Sequence, residues 1–262
     1  MKSLTLKCRY FRRYPPEEFL GYMEQALEID LSRTAFLVVD VYGLGLDQED
    51  DKPSDKPGMV TAASVNNERQ VILDSLLPAL TAARQASLGV IYVSNSAPRV
   101  ALDRYEFARQ RNRNAEHDFE SVFAETCIDP REYTYGDSAF IKFSHNLQPQ
   151  GDEPFVRKIV YSGFFETRLD ALLRHRRVDT LVCVGFSESE CLLSTMIDAL
   201  YRNYRVILLR DCTLATETVP EEEATLAFTQ RMVLWVETYL GWSSTSRDFI
   251  AACHSLADPS RS

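Results

Sequence analysis

TLVCVGFSESECLLSTMIDALYRNYRVILLR, residues 180–210, contains the fold in miniature. Its first six residues, Thr180 to Gly185, are apolar or β-branched without alternation, the pattern of a strand covered on both faces. Glu190 to Asn203 reads as a helix and Arg205 to Arg210 as a second buried strand. A strand, a helix and a strand at this spacing form a parallel crossover, which is right-handed almost without exception.

The same alternation extends in both directions. TAFLVVDV, Thr34 to Val41, and GVIYVSN, Gly89 to Asn95, are continuous apolar runs of strand length, and Phe155 to Val160 is a further strand. Between the first two, Val71, Leu73, Leu76, Leu77, Leu80 and Ala83 recur at helical spacing within Asn66 to Ser87. Glu166 to Arg177 and Glu221 to Leu240 are predicted helices, and DFIAAC near the end is predicted as a last short one. Residues 42–63, with the charged run DQEDDKPSDK, have no hydrophobic period and are expected to form an exposed loop. Residues 1–30 are expected to be an irregular lead-in, partly helical through EEFLGYMEQAL. These elements predict an α/β fold: a three-layer α/β/α sandwich with a mainly parallel, doubly wound sheet, in one domain spanning 1–262.

Composition fits such a domain. Hydrophobic residues at 45% and charged residues at 26% supply a core and exclude a disordered chain. A net charge of -9 leaves no basic field for a phosphate backbone or an anionic membrane. The N-terminal MKSLTLKCRYFRRYPPEEF has no apolar core of a secretion signal, so a cytoplasmic location is expected. The six cysteines lack CxxC spacing and read as reduced thiols. The four histidines are scattered, with no HxH or HxxxH pair, so no metal and no cofactor is expected.

In a doubly wound sheet, ligands bind beyond the carboxyl ends of the strands, where strand order reverses. Three unlike reactive groups fall near such ends: Asp40 closes the first strand, Lys158 lies late in the third, and Cys191 follows the fourth through GFSESEC. A thiol with an ordinary pKa of about 8.5 needs a helix start, a cation or a base to act as a nucleophile, and here all three are within reach. Singly, each residue has a plain reading: an inert buried thiol, a loop-anchoring acid, a lysine that snorkels to water. Lys142, in SAFIKFSH, is a local rival to Lys158.

With those residues in view, the chain resembles the isochorismatase-like cysteine hydrolases. TAFLVVDV resembles that family's first strand with its catalytic Asp, here Asp40. KIVYSGFFETRLDALLR resembles the segment led by the catalytic Lys, which favours Lys158 over Lys142. VCVGFSESECLLSTMIDALYRNYRVILLRDCT resembles the nucleophile segment, with Cys191 at the family's cysteine. The resemblance implies a cis peptide between Phe186 and Ser187 and an oxyanion hole of the Ser187 and Cys191 N–H groups; substrate contacts are expected among Tyr42, Asn95, Tyr161, Phe164, Phe186 and Glu188.

YSGFF and VETYLGWSS are most similar to the ureidoacrylate amidohydrolases, which implies hydrolysis of a C–N bond in a small ureido or carbamoyl compound, biuret-like and triuret-like molecules included. The expected partners are this small substrate and further copies of the chain in a homo-oligomer, a dimer or a tetramer, not nucleic acid or membrane. Two positions depart from the pattern: Glu188 stands where relatives have Thr, and Tyr42 where they have Gln. Glu188 either accepts hydrogen bonds from urea-type N–H groups or forms a salt bridge at the rim. Asn95 either binds an amide or anchors a loop. The zinc-binding nicotinamidase branch is disfavoured because residues 42–63 contain no His. An isochorismatase-type reaction, another small-amide hydrolysis and a non-catalytic binding role are the alternatives.

Overall fold

In the computed structural model, residues 2–42, 46, 62–95, 106, 143–217 and 223–256 are described. Their strands are β1 (Ser3–Arg12), β2 (Gly21–Asp30), β3 (Thr34–Val39), β4 (Gly89–Asn95), β5 (Phe155–Lys158), β6 (Thr180–Gly185), β7 (Arg205–Leu209) and β8 (Trp242–Ser244). They form one sheet in the order β2-β1-β8-β7-β6-β3-β4-β5. From β8 to β5 every neighbouring pair is parallel, and β1 joins antiparallel to β8 and to β2.

The helices are α1 (Pro16–Phe19), α2 (Ala62–Val71), α3 (Leu77–Gln85), α4 (Leu169–His175), α5 (Cys191–Tyr201), α6 (Ala227–Tyr239) and α7 (Ser246–Ser255). Strand β3 shows why the sheet needs a helical layer on both faces. Phe36 and Val38 join one apolar core with Leu76, Leu80 and Phe249, while Ala35, Leu37 and Val39 join another with Leu169, Leu192, Met196 and Val236. Alternate side chains of a strand point to opposite faces, so a strand without polar residues must be covered twice. The result is an α/β/α sandwich.

The N-terminal lead-in is a correction. Residues 3–30 form a hairpin of two ten-residue strands, and its helix is confined to Pro16–Phe19. Leu4, Leu6 and Cys8 are buried at alternate positions and Leu27 and Ile29 answer them from β2. Ten paired residues override the helical preference of MEQAL.

The helix predicted over 66–87 is interrupted by a π-helical turn at Ile72–Leu76. The wider turn shifts the phase of the apolar stripe, so Ile72 is buried and Leu73 is exposed. The long helix predicted from 221 starts at Ala227, after Leu226 takes a left-handed φ of 52°. The expected loop at 42–63 lies almost wholly outside the described residues, as do Cys127 and Lys142.

From β3 the chain runs to β4 and β5 on one side, then returns to β6 on the other side of β3. Strand order therefore reverses between β3 and β6, and the crevice beyond their carboxyl ends is where a ligand site is expected.

Candidate active site

Three backbone features shape the crevice. Asp40, the first residue after β3, has φ 47° and donates its N–H to the Val93 carbonyl at 2.9 Å. A left-handed conformation is unusual for a residue with a side chain, though Asp tolerates it better than most. At the end of β6, Gly185 has φ +114°, and a Cβ there would fall 1.9 Å from the Val39 carbonyl oxygen, so only glycine lets β6 pass β3 this closely. The Phe186–Ser187 peptide that follows is cis.

The turn from Phe186 to Glu190 leads into α5, whose first residue is Cys191. The Ser187 carbonyl accepts from the N–H groups of Glu190 and Leu192, at 3.0 and 3.1 Å, which tightens the turn under the cysteine. Thr195, one helical turn on, donates to the Cys191 carbonyl at 2.7 Å and accepts from the Gly163 N–H at 2.9 Å. That hydroxyl ties the loop after β5 to the nucleophile helix.

At the centre stands Lys158, with no exposed surface. Its Nζ lies 2.8 Å from Asp40 Oδ2 and 3.2 Å from Cys191 Sγ, and it also donates to Asn95 Oδ1 and to the Val160 carbonyl. The two Asp40 oxygens differ. Oδ1 accepts from the Tyr42 hydroxyl at 2.6 Å and from the Asn95 N–H at 2.9 Å. Oδ2 is buried and meets Lys158 as an ion pair without hydrogen-bond alignment, which leaves it lone pairs for a proton from another group.

Charges follow the geometry. Burial alone would lower the Lys158 pKa, but the charges of Asp40 and Cys191 outweigh it and raise the pKa, so the ammonium persists. Burial is the main cause that pushes the Cys191 thiol up; Asp40 pushes the same way and Lys158 opposes. The resting sulfur is therefore a thiol beside an Asp–Lys ion pair, not the preformed thiolate that a helix start and a lysine alone would favour. Tyr42 is held protonated by burial and by the Asp40 charge, so its hydroxyl remains a donor to Oδ1. Among the described residues, no group of three or more His, Cys, Asp or Glu side chains is arranged to hold a metal ion.

A family model described as the isochorismatase domain matches residues 57–238, more than half of the chain. The chain belongs to the isochorismatase family. Curated relatives include the ureidoacrylate amidohydrolase RutB of Serratia proteamaculans strain 568, 37% identical over 114 residues, which is 43% of this chain and 42% of that protein. The RutB of Variovorax paradoxus strain S110 is 36% identical over 104 residues, 40% of this chain and 38% of that protein. The chain thus matches about two fifths of the length of these relatives. Among solved structures, a cysteine hydrolase from Pseudomonas syringae pv. phaseolicola 1448A is similar with a TM-score of 0.64 at 24% identity, covering 87% of this chain and 95% of that one. The N-carbamoylsarcosine amidase of Thermoplasma acidophilum gives 0.51 at 20%, over 82% and 96%. At these identities the structures speak for the fold.

Within this isochorismatase-family crevice, Asp40, Tyr42, Asn95, Lys158 and Cys191 come together. Asn95 is buried, not a surface anchor, and its side chain is engaged by Lys158. Phe186 is buried in the core on one face of the sheet. Phe164 is buried in the core on the other, 5.9 Å from the Tyr204 ring and 5.0 Å from the Arg202 guanidinium; Tyr161 packs at the edge of that core.

Glu188 is placed otherwise than at a rim. It has no exposed surface, forms no salt bridge among the described residues, and neither carboxyl oxygen has a hydrogen-bond partner. Its pKa is pushed well up, by burial first and then by the charge of Glu237, and none of Asp40, Lys158 and Cys191 contributes. Sequence reading missed Gly163, Gly185 and Thr195. Thr195 could have been found from its spacing of four from Cys191, which puts both on one helix face. The close approaches at the two glycines, Gly185 to Val39 and Gly163 to Val93, depend on packing between segments distant in sequence.

Proposed function

We propose that this chain is a cysteine amidohydrolase that cleaves a C–N bond in a small ureido or carbamoyl compound, with Asp40, Lys158 and Cys191 as its catalytic residues. The observation that carries the reading is the position of Lys158 Nζ, within 2.8 Å of Asp40 Oδ2 and 3.2 Å of Cys191 Sγ in a buried crevice. The curated relatives named as ureidoacrylate amidohydrolases support the substrate class.

In this reading Asp40 Oδ2 takes the thiol proton as Sγ attacks the substrate carbonyl carbon. The carbonyl oxygen becomes an oxyanion, held by the N–H groups of Ser187 and Cys191 at the start of α5. Collapse breaks the C–N bond, and the proton on Asp40 passes to the leaving nitrogen. An S-acyl or S-carbamoyl enzyme remains. Water then attacks the same carbon, Asp40 accepts the water proton, the C–S bond breaks, and the proton returns to sulfur.

Lys158, 3.2 Å from Sγ, offsets negative charge on sulfur in both steps. Tyr42 and the Asn95 N–H fix Asp40 Oδ1 so that Oδ2 does the proton transfer. The test is ammonia or amine release from a panel of ureido compounds, plain amides and activated esters, with wild type and Cys191→Ala side by side. Release from a ureido compound that depends on Cys191 is expected; turnover unaffected by Cys191→Ala would overturn the reading.

A further inference from the structure

The segment that follows β7 runs alongside the turn that leads to Cys191. The Cys212 carbonyl accepts from the Gly185 N–H at 3.0 Å and the Leu214 carbonyl from the Glu188 N–H at 2.8 Å. Thr216, two residues further on, ends this lacing with side-chain bonds. Its N–H donates to Ser189 Oγ at 3.2 Å, and its hydroxyl proton is shared between Ser187 Oγ at 3.1 Å and Glu190 Oε1 at 3.0 Å. Ser187 Oγ and Ser189 Oγ are themselves 3.0 Å apart. One threonine thus bonds to three of the four residues that separate Phe186 from Cys191.

Thr216 is itself held from both sides. The Ala215 N–H donates to Thr229 Oγ1 at 3.0 Å. The Glu217 carboxylate accepts from the N–H groups of Phe228 and Thr229 at 3.1 and 2.9 Å, and from the Thr229 hydroxyl at 2.9 Å. Leu226, the residue before α6, offers no side-chain cap, so Glu217 satisfies first-turn N–H groups in its place, where the helix dipole also favours an anion. Anchored on a helix of 13 residues, Thr216 can fix the turn rather than follow it.

Ser187 is the residue this brace holds most completely. Its carbonyl is engaged by the N–H groups of Glu190 and Leu192, and its hydroxyl by Thr216 and Ser189. With both held, the residue cannot turn about its Cα, and the direction of its own N–H is set. An oxyanion donor works only when aimed in advance at the place where charge develops. On the cysteine mechanism proposed above, we infer that Thr216 is a positioning residue: through Ser187 Oγ, and from its anchor on α6, it aims the Ser187 N–H at the oxyanion. The charges that shift the Cys191 thiol are those of Asp40 and Lys158, which lie outside this brace. Oxyanion and thiol can therefore be tested apart.

Two reactions of the same thiol make the separation. Carbamoylation by para-nitrophenyl carbamate passes through an oxyanion: the S–C bond forms, the C–O bond breaks, and the thiol proton leaves with the nitrophenol. Alkylation by iodoacetamide displaces iodide at a methylene carbon and forms no oxyanion. Thr216→Val is expected to slow carbamoylation about tenfold, while alkylation and its pH profile stay within about twofold of wild type. Thr216→Ser keeps the hydroxyl and should carbamoylate within about twofold of wild type. Ser187→Ala keeps the N–H but loses the hydroxyl that Thr216 holds, so it should match Thr216→Val, and the double variant should lose no more than either alone. Ser187→Ala carries the test if Thr216→Val does not fold. Equal losses in the two reactions, or no loss in either, overturn the proposal, and so does a double variant whose losses multiply. Nitrophenol release that survives Cys191→Ala overturns the cysteine mechanism itself, and the role of Thr216 with it.

Discussion

The ammonium of Lys158 stands 3.2 Å from the sulfur of Cys191, and the lysine has no exposed surface. A buried cation so close favours a thiolate, yet burial of the sulfur first, and then the charge of Asp40, 2.8 Å from the same lysine, outweigh it. The thiol keeps its proton until attack begins. This balance separates the roles of the three residues experimentally.

In the proposed mechanism, Cys191→Ala removes the nucleophile that forms the covalent intermediate. Turnover of a ureido substrate should fall about a thousandfold or more, while circular dichroism and melting temperature stay close to wild type. Steady-state rates on purified protein decide it, and a variant that keeps a tenth of wild-type activity would end the cysteine mechanism.

Asp40→Asn should produce a thiolate and lose activity together. Burial raises the thiol pKa most and the Asp40 charge adds to it, so removing that charge lets Lys158 offset more of the burial and lowers the pKa. Thiolate absorbance near 240 nm should therefore appear at lower pH than in wild type, while turnover drops by about two to four orders of magnitude for want of a base. A thiol titration that moves upward instead would mean that Asp40 does not face the sulfur.

Lys158→Met should move the thiol in the opposite direction. Loss of the neighbouring cation raises the pKa of Cys191 and strands the Asp40 carboxylate, which is 6% exposed. Breaking a buried pair in this way costs about 3–5 kcal/mol, visible as a lower melting temperature. Lys142→Met, outside the described residues, is the control and should do much less to activity and to the thiol titration. Equal effects of the two would overturn the choice of Lys158.

The sequence made the strands around the crevice legible because buried parallel strands are apolar without interruption. Thr180 to Gly185 and Gly89 to Asn95 were readable to the residue. The hairpin of β1 and β2 was not, since its half-exposed strands carry Glu and Gln at positions that also suit a helix, and only ten cross-strand pairs decide between the two. Asp40, Lys158 and Cys191 were readable from strand ends and from resemblance. What could not be read was direction: Glu188 lies three residues before Cys191, but its side chain is carried into the protein, towards Glu237, by a turn whose shape depends on Gly185 and Val39 packing together.

That buried acid sets the last prediction. Glu188 has both carboxyl oxygens without hydrogen-bond partners, and burial together with the charge of Glu237 holds its pKa well above the usual carboxylate range. The folded chain therefore keeps a proton that the unfolded chain releases above about pH 4.3. Where the native state binds more protons than the unfolded state, stability falls as pH rises, by at most about 1.4 kcal/mol per pH unit for one group. The loss begins near the unfolded pKa and continues until the folded pKa is passed. Glu188→Gln retains the shape and removes the titration, so its melting temperature relative to wild type should be lowest near pH 4 and should climb towards pH 8. For a chain of this size the gain should be roughly 2–4 °C for each kcal/mol recovered. Melts at pH 4, 6 and 8 measure the slope. A difference that stays flat across that range would mean that Glu188 is ionised in the native state, and one that falls would mean that a cation stabilises its carboxylate.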